Sequence, residues 1–373
     1  MLLSSRSLHI AVRLLPALLI CSSPAGAQDK APLQAPFHLR TQAGPLQTEQ
    51  RGAKSCAPAP AAVTRLSITS KYGDDGPQRD TIDPDADAAA RNEMQDIRAF
   101  SRQVVKAANE YTRSGNPAAA RCTLSLLADW RRAGALRQMD NANAEFERVS
   151  TLAGLSLALL QVSPAVGREP DYAPTVAWMR ELAQAGTRYF DGSSKLKGSR
   201  NNHRDWAALA AASVATLSGD RALLDWSARA YQAEVCSAGA EGGLPLELER
   251  GQKARDYHLF ALSALAPLAA ILQSNGVDAG AECKGALHRI VGFTLKALDD
   301  PSQMAALAGK PQEAFKGKKD GDGMPGPNQL AFLEAYVKQY PEQGPAVGRW
   351  LRLRPFASTN LGGNQTLLYG GGR

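Results

Sequence analysis

The feature that most constrains the fold is a helical periodicity that begins at residue 88 and continues through most of the chain. Apolar residues recur at intervals of three and four, and Gly, Pro and Asn separate the periodic segments. No convincing alternating strand accompanies them, so the sequence indicates an all-α protein. The predicted helices cover residues 88–113, 117–133, 143–162, 173–189, 202–217, 220–235, 249–273, 282–297 and 328–339.

Helices joined by short turns pack as antiparallel hairpins, and a long row of such hairpins must curve. No repeat of fixed length is visible in the sequence, which disfavours a regular solenoid. We therefore expect an incomplete α/α toroid, a barrel of antiparallel helical hairpins with a central groove, over residues 61–373. Two separate helical bundles are the alternative.

The first 27 residues have the three parts of a secretory signal. Arg6 and Arg13 supply the positive charge, an apolar run covers residues 14–20, and Ala25-Gly26-Ala27 offers a cleavage site. The apolar run is far shorter than the ~20 residues of a membrane-spanning helix, and no later apolar segment is expected to be long enough either. The sequence thus predicts a periplasmic protein.

The mature chain is expected to start near Gln28, with an extended arm over residues 28–60 before the folded body. Lipid attachment at Cys21 is disfavoured, because Ile20 lies where such signals carry a small residue. A polar, turn-rich loop follows the arm at residues 65–85, and it is a candidate functional loop.

Cleavage of the signal removes two arginines and no acid, so the formal charge falls from +7 to +5. A basic exported protein suits an anionic partner, such as a uronic acid polymer, a membrane face or nucleic acid. Four cysteines remain, and an even number in an oxidising compartment favours disulfides. Of the three possible pairings we favour Cys56 with Cys122 and Cys236 with Cys283.

Paired asparagines precede a histidine at residues 201–203, where a polar turn enters an alanine-rich helix. An N-cap role accounts for one asparagine. It leaves His203 and Trp206 unexplained.

A second polar segment covers residues 243–258. A helix that starts near Glu247 places Arg250 and Tyr257, seven residues apart, on one face. Such a face fits the lining of a sugar-binding groove, and a solvated face with ordinary charges is the alternative.

Together these segments resemble polysaccharide lyase family 5, the mannuronate-cleaving alginate lyases. The matches run in the family's order from about Cys56 to the end of the chain. They comprise Asn-Asn-His-x-x-Trp at 201–206, Leu-Pro-x-Glu-Leu-x-Arg-x-Gln-x-Ala-x-x-Tyr-His at 244–258, Thr69–Tyr72, Trp130–Leu136, Asn275–Asp278, Arg354–Phe356 and Leu361–Gly363.

The resemblance implies a toroid that cleaves a uronic acid polymer by β-elimination, in which the C5 proton is removed and the C4 oxygen leaves. Asn202, Arg250 and His203 are then expected at the uronate carboxylate, where they stabilise the developing enolate-like charge. Tyr257 is expected to protonate the leaving oxygen, and either Tyr257 as a phenolate or His203 removes the C5 proton. Arg250 on the same helical face is expected to lower the pKa of Tyr257 from about 10.

The resemblance also implies a set of substrate-binding residues, with Lys71 on a loop that closes over the groove. Trp206 is expected either to stack on a sugar ring or to pack in the core, and the sequence does not distinguish the two. The substrate-binding candidates are Ser70, Lys71, Asn143, Trp206 and Arg354.

The sequence departs from the family pattern around the groove. Arg204 and Asp205 replace a Ser-Tyr pair, Ala142-Asn143 aligns with a His-Thr pair, and Glu249 and Gly251 flank Arg250 where basic residues are usual. A late cysteine pair is also missing. These changes put substrate preference in doubt, because mannuronate and glucuronate differ only at C2 and the same groups suit either polymer.

No metal or cofactor is implied, and the histidines lack zinc-binding spacing. His258 is interpreted as a structural neighbour of Tyr257. The expected partner is an anionic polysaccharide rather than nucleic acid, and the chain is expected to be a monomer. A silent exopolysaccharide-binding protein and a helical scaffold for protein partners are the alternatives, and neither explains the combined set of candidate catalytic residues. The sequence does not say whether the polymer is cleared during its synthesis or digested as food.

Overall fold

The computed structural model describes residues 31–40, 56–73, 78–315 and 323–370. The predicted signal at residues 1–27 lies outside this part of the chain, as do residues 74–77 of the predicted functional loop. The described residues from Leu33 onward form one compact unit, so two separate bundles are excluded and residues 33–40 of the predicted arm belong to the body.

Helices dominate the described residues, and they are joined mostly by short turns. The helices are α1 Pro84–Glu93, α2 Gln95–Ser114, α3 Pro117–Arg132, α4 Ala142–Val166, α5 Tyr172–Gly192, α6 Asn202–Ser218, α7 Arg221–Ser237, α8 Pro245–Leu248, α9 Ala254–Ser274, α10 Glu282–Asp299, α11 Ser302–Ala308, α12 Phe332–Gln339, α13 Gly344–Leu351 and α14 Gln365–Tyr369.

The helices form two layers. In the inner layer α2, α4, α6, α9 and α12 contact one another in this order, and α3, α5, α7 and α10 lie outside them. Each outer helix is joined to an inner one as a hairpin. The layers form an α/α toroid, which confirms the fold class expected from the sequence.

The predicted helices are confirmed, but two of them are each divided into shorter helices, and the helix expected over 282–297 is interrupted near its start by left-handed backbone at residues 283–285. The helix expected over 88–113 begins earlier, at Pro84, because Asp83 accepts hydrogen bonds from the N–H groups of Asp85 and Ala86 as an N-cap. It divides at Met94. The helix expected over 249–273 is interrupted before Ala254, with consequences for the site described below.

Four two-residue strands were missed, because alternation cannot be recognised over so short a length. β1 Arg65–Leu66 pairs in parallel with β2 Gln138–Met139, and β3 Ala357–Ser358 pairs antiparallel with β4 Gly363–Asn364. The first pair holds the start of the loop between β1 and α1 beside β2, which leads into α4.

Both disulfides have the pairing favoured from the sequence. Cys56 is joined to Cys122 and Cys236 to Cys283. The first ties the segment before β1 to α3, and the second ties the end of α7 to the start of α10.

Two described helical segments, Ala142–Val166 and Gly251–Ser274, are long and apolar enough to cross a membrane, with 83% and 78% of their apolar windows buried. The expectation that no later segment has this length was wrong. Such burial is typical of central helices in a packed core, because a helix surrounded by other helices is apolar on all sides.

Candidate active site

A pocket of about 520 Å³ opens at one end of the inner helices. It is lined by residues 68–72, 79 and 82 of the loop between β1 and α1, by α1, α2 and α4, by the start of α6 and by residues 246–260. Seven of its lining side chains are cationic and four are acidic. The cationic ones are Lys71, Arg79, Arg91, Arg98, Lys197, Arg250 and Lys253. This excess of positive charge favours an anionic ligand.

Acidic partners neutralise three of these cations, since Lys197 pairs with Glu249, Arg91 with Asp87 and Lys253 with Glu313. Among the described residues, no ion pair is formed by the other four, which are Lys71, Arg79, Arg98 and Arg250. The pocket therefore retains charge that a polyanion can neutralise.

The loop over the pocket is closed by backbone hydrogen bonds between its two arms. The N–H of Asp83 donates to the Lys71 carbonyl at 3.0 Å, and Tyr72 forms a bridge with Ile82. Arg79 adopts a left-handed conformation with φ 45°, which costs on the order of 1 kcal/mol for a residue with a side chain. Its carbonyl accepts a hydrogen bond at 2.7 Å from Nη2 of Arg250, which offsets that cost.

Arg250 does not lie on the same helix as Tyr257, so the expected single helical face was wrong. It lies between α8 and a short 3₁₀ helix at Gly251–Lys253. Gly251 has φ +56, and a Cβ there would approach Asp80 Oδ2 to 2.8 Å, so the turn requires glycine. The turn nevertheless brings the Arg250 guanidinium to 3.6 Å from the centroid of the Tyr257 ring.

Arg250 connects the loop to Tyr257. Its Nε donates to the Gln78 carbonyl at 2.9 Å, while its flat guanidinium covers the face of Tyr257. A cation over an aromatic face is attracted to it, most strongly where water is excluded. The same arginine thus fixes the position of the loop and of the phenol.

The hydroxyl groups of Tyr257 and Tyr72 contact each other. Burial raises the pKa of Tyr257, and the neighbouring Tyr72 adds to the effect, against the influence of Arg250. Arg250 lowers this pKa as expected, but burial and Tyr72 outweigh it, so the pKa of Tyr257 lies above its usual value rather than below it. Burial also acts on Tyr72, but Lys71 and Arg250 outweigh it and lower its pKa. Tyr257 is thus protonated at neutral pH and suited to act as an acid.

His203 lies in the pocket wall at the start of α6, with its ring stacked on Phe146 at 4.0 Å. Burial, together with the positive charges of Arg250, Lys71 and Arg79, lowers its pKa from 6.5 to about 3. The imidazole is therefore neutral at ordinary pH and able to accept a proton.

The two asparagines have different roles. Asn201 is the N-cap of α6, since its side chain accepts from the His203 N–H at 3.2 Å. Asn202 is 0% exposed and lies behind the pocket wall, between Asn201 and His203, which line it. Its backbone N–H and its Nδ2 both donate to Glu247 at 2.9 Å.

His258 has the structural role expected of it. Its Nδ1–H donates to the Ala254 carbonyl at 2.7 Å, and its Nε2 accepts from the N–H of Leu244 at 2.9 Å. Burial lowers the pKa of His258 to about 4, so the ring stays neutral. It joins α9 to the start of α8 and thereby positions Glu247 and Arg250.

The other candidates divide into two groups. Ser70, Lys71 and Asn143 line the pocket, with the Ser70 hydroxyl accepting from Arg79 at 3.2 Å. Trp206 and Arg354 do not line it. Trp206 is 1% exposed and packs in the core, so the sugar-stacking interpretation was wrong. The guanidinium of Arg354 is paired with both carboxylate oxygens of Glu334 at 2.7 Å.

Sequence reasoning missed several pocket residues, namely Tyr72, Arg98, Glu147 and Asp256. A second cavity of about 400 Å³ adjoins the pocket and shares Met94, Arg98, Glu147 and Phe260 with it. Arg98 and Glu147 lie in regular helices that carry no special motif, and the sequence offered no signal for them. Tyr72 was within a matched segment, but nothing in its spacing pointed to Tyr257.

One group of metal-ligand residue types occurs among the described residues, formed by Cys236, Glu282 and Cys283. Both sulfur atoms belong to one disulfide, so they do not offer thiolate ligands. The pocket instead combines a neutral imidazole, a protonated phenol and an arginine. This set can remove a proton, donate a proton and stabilise negative charge.

Comparison with known proteins gives a consistent result. The family model described as alginate lyase matches residues 22–304. An alginate lyase of Pseudomonas putida strain W619 is 32% identical over 361 residues, 95% of each chain, and one of Cobetia marina is 30% identical over 366 residues, again 95% of each.

Solved structures are similar in fold. Alginate lyase A1-III from Sphingomonas species A1 superposes with a TM-score of 0.68 at 22% identity, covering 85% of this chain and 87% of that one. A tyrosine-to-phenylalanine variant of alginate lyase A1-III, complexed with tetrasaccharide, gives a TM-score of 0.72 at 21% identity, with 86% and 88% covered.

Proposed function

Because the chain belongs to the alginate lyase family, we propose that it cleaves polymannuronate or a closely related polyuronate by β-elimination. The observation that carries the proposal is the convergence of His203, Arg250 and Tyr257 in one cation-lined pocket. These residues come from separate stretches of the sequence, and the fold brings them together.

The proposed reaction proceeds at one uronate ring. The electron pair of the C5–H bond forms a C4=C5 double bond, and the C4–O bond breaks. Tyr257, protonated in the resting site, donates its proton to the departing oxygen. Neutral His203 accepts the C5 proton, or Tyr257 does so once it is ionised. The products are a shorter chain and an unsaturated uronate at the new non-reducing end.

Positive charge makes the C5 proton removable. While the neighbouring carboxylate is charged, that proton is barely acidic, and the enolate-like transition state places further charge on the carboxylate. Arg250, with Lys71 from the loop, supplies fixed positive charge at this place, and in a site shielded from water such charge is most effective. Free cations along the wall, such as Arg98, suit carboxylates of adjoining sugars.

The substrate remains within the polyuronates. Mannuronate and glucuronate have the same geometry at C4 and C5, so polyglucuronate and hyaluronan are the alternative substrates. We further propose a periplasmic location for a monomeric enzyme. The two disulfides support export, because such bonds persist in oxidising compartments.

The test is the ultraviolet absorbance of the conjugated double bond formed on cleavage. Purified protein is incubated with polymannuronate, polyguluronate, polyglucuronate and hyaluronan, and we expect the fastest rise with polymannuronate. Tyr257→Phe should lower the rate by roughly 10²-fold or more, because only the proton donor is lost. Its matched control is Tyr189→Phe, a tyrosine on α5 outside the pocket lining, which should retain the wild-type rate.

Two results would contradict the proposal. A wild-type protein that binds these polymers without producing the absorbance is a binding protein rather than a lyase. A Tyr257→Phe variant with the full rate removes the phenol from the chemistry.

A further inference from the structure

The imidazole of His203 is not held by hydrogen bonds. Neither of its ring nitrogens bonds to a residue that the structure describes, and its only hydrogen bond there is made by the backbone N–H. The other two histidines of the helical body differ, since His258 bonds through both ring nitrogens and His288 bonds to the Tyr336 hydroxyl through Nδ1. A histidine that transfers protons is usually oriented by a hydrogen bond at its second nitrogen. His203 therefore needs another means of orientation.

Aromatic rings hold His203 instead. The Phe146 ring on α4 lies parallel to the imidazole, with 4.0 Å between the ring centroids and 8° between the planes. On α9, the Phe260 ring lies 6.3 Å away at 74°, in an edge contact. A face contact and an edge contact together fix the plane of the imidazole. Both ring nitrogens remain accessible, because neither is buried without a partner.

The Phe146 ring is itself confined. It is 9% exposed, and the Phe190 ring on α5 packs against it with 6.0 Å between centroids. At its tip lies Gly198, in the short 3₁₀ helix before α6. A Cβ at Gly198 would approach Cζ of Phe146 to 2.9 Å and Cε2 to 3.2 Å, so the ring occupies space that only a glycine leaves. Phe146 thus presents a fixed surface to His203.

Charged groups around His203 do not orient its ring. Arg204 on α6 is paired with an aspartate of α5. Three cations face the imidazole and oppose its protonation without bonding to it, namely Lys71, Arg79 and Arg250. The other titratable groups of the adjoining pocket wall are Glu147 on α4 and Asp256 and Tyr257 on α9. Stacking is therefore the contact that decides where the imidazole points.

We propose that Phe146 is a positioning residue, whose flat face takes the place of a hydrogen bond and directs the His203 imidazole toward the bound uronate. The inference rests on the proposed lyase function, in which His203 accepts the C5 proton. A misplacement on the order of 1 Å lowers the rate of such a step by up to about 10²-fold. The ring also keeps water from one face of the imidazole, which favours the neutral form that accepts a proton.

The first test is Phe146→Leu, which keeps an apolar side chain and removes the flat face. We expect kcat to fall about tenfold or more, because His203 loses its orientation. KM should change by less than about threefold, because the cations that bind the polymer stay in place. A Phe146→Leu variant with the wild-type kcat would overturn the proposal.

The matched control is Phe100→Leu. Phe100 is 0% exposed, lies on α2 outside the pocket lining and stacks on Trp130 with 3.6 Å between centroids. Its replacement removes a stacked ring of the core and should leave kcat unchanged. Thermal unfolding of both variants checks that they are folded. An equal loss of kcat in Phe100→Leu would overturn the proposal, because general loosening of the core would then explain the effect.

Gly198→Ala perturbs the stack without removing a ring. The added methyl group presses on the tip of Phe146, so kcat should fall about threefold or more. Leucine at position 146 ends short of that tip. Gly198→Ala combined with Phe146→Leu should therefore have a kcat within about twofold of Phe146→Leu alone. Losses that multiply in the double variant would overturn the proposal, because the two residues would then act independently.

Titration of isotope-labelled histidine by NMR supplies a readout that needs no substrate, with the His203 signal assigned by its loss in His203→Ala. Phe146→Ala admits water to the imidazole, so His203 should become protonated at a higher pH than in the wild type. The acidic limb of kcat/KM should move upward with it. An unchanged His203 titration in Phe146→Ala would overturn the proposal, because the ring would then not cover the imidazole.

Failure of the inference and failure of the proposed function are distinguishable. A wild type that cleaves no polyuronate would overturn the lyase function, while the histidine titration would still report on the stack. A wild type that cleaves, with full kcat in Phe146→Leu, would overturn only the positioning role.

Discussion

Glu234 gives a sharp test of the electrostatics beneath the pocket. It lies on α7, is 7% exposed, and forms no ion pair among the described residues. Burial, together with the charge of Glu247, raises its pKa from 4.5 to about 8. Replacement by glutamine keeps the shape of the side chain and removes its ability to ionise.

The magnitude follows from linkage between protonation and folding. The folded protein binds this proton more tightly than the unfolded chain, so the stabilisation is complete below pH 4.5 and is lost as the pH rises to about 8. At about 1.4 kcal/mol per pH unit, the loss amounts to roughly 5 kcal/mol. Glu234→Gln escapes this loss but buries an amide, so at about pH 9 we expect it to exceed the wild type by about 2–5 kcal/mol.

The assay is thermal unfolding of both proteins in buffers of equal ionic strength from about pH 4.5 to pH 9. A chain of this size should show a difference in Tm of roughly 3–7 °C at the alkaline end. The matched control is Glu241→Gln, an exposed carboxylate nearby, which should change stability by less than about 0.5 kcal/mol at every pH. The same difference in Tm between the two proteins at pH 4.5 and at pH 9 would refute the reasoning. The ionisation of Glu234 would then contribute nothing to stability.

Three further predictions concern the pocket and one of the disulfides. His203→Ala should lower kcat by on the order of 10²-fold or more, whereas Lys71→Ala should have a smaller effect, mainly on KM. A larger loss of activity in Lys71→Ala than in His203→Ala, measured by steady-state kinetics, would contradict the assigned roles. Arg250→Lys keeps the charge but loses the planar guanidinium that donates to the loop carbonyls of Gln78 and Arg79. We therefore expect kcat/KM to fall at least about tenfold. An unchanged kcat/KM would show that the positive charge alone suffices. Cys236→Ser with Cys283→Ser opens a 47-residue loop and should lower the free energy of unfolding by roughly 2–4 kcal/mol in denaturant titrations, while an unchanged midpoint would contradict a stabilising bond.

The toroid was predictable because its helices are long and periodic. A helix that buries one face carries apolar residues with a period of 3.6 residues. The central helices are apolar on nearly all sides. The short helices α11, α13 and α14 were missed, because they have too few turns for a periodic pattern. The pair Asp83-Pro84 signals the start of α1, but a prediction based on apolar periodicity alone overlooks it.

The identity of the site residues was more predictable than their geometry. Arg250 and Tyr257 were expected to meet on one helical face, and they do meet, but across a turn centred on Gly251. Hydrophobic periodicity reports which side chains are buried and does not report a left-handed φ at one residue. The pKa of Tyr257 was misjudged for a related reason, because its burial depends on the loop that carries Tyr72.

The turn before α9 has a consequence for how the site works. On a continuous helix, Arg250 would be tied to Tyr257 alone. Placed in a turn, it bonds the loop through Nε and Nη2 and still covers the phenol, so a displacement of the loop must also change the environment of Tyr257. Asn202 and Trp206, by contrast, are buried beneath the wall and do not select among polymers by contact. Differences in substrate preference between this chain and its relatives should therefore map to the loop and the groove walls, where Lys71, Arg98 and Asn143 line the pocket.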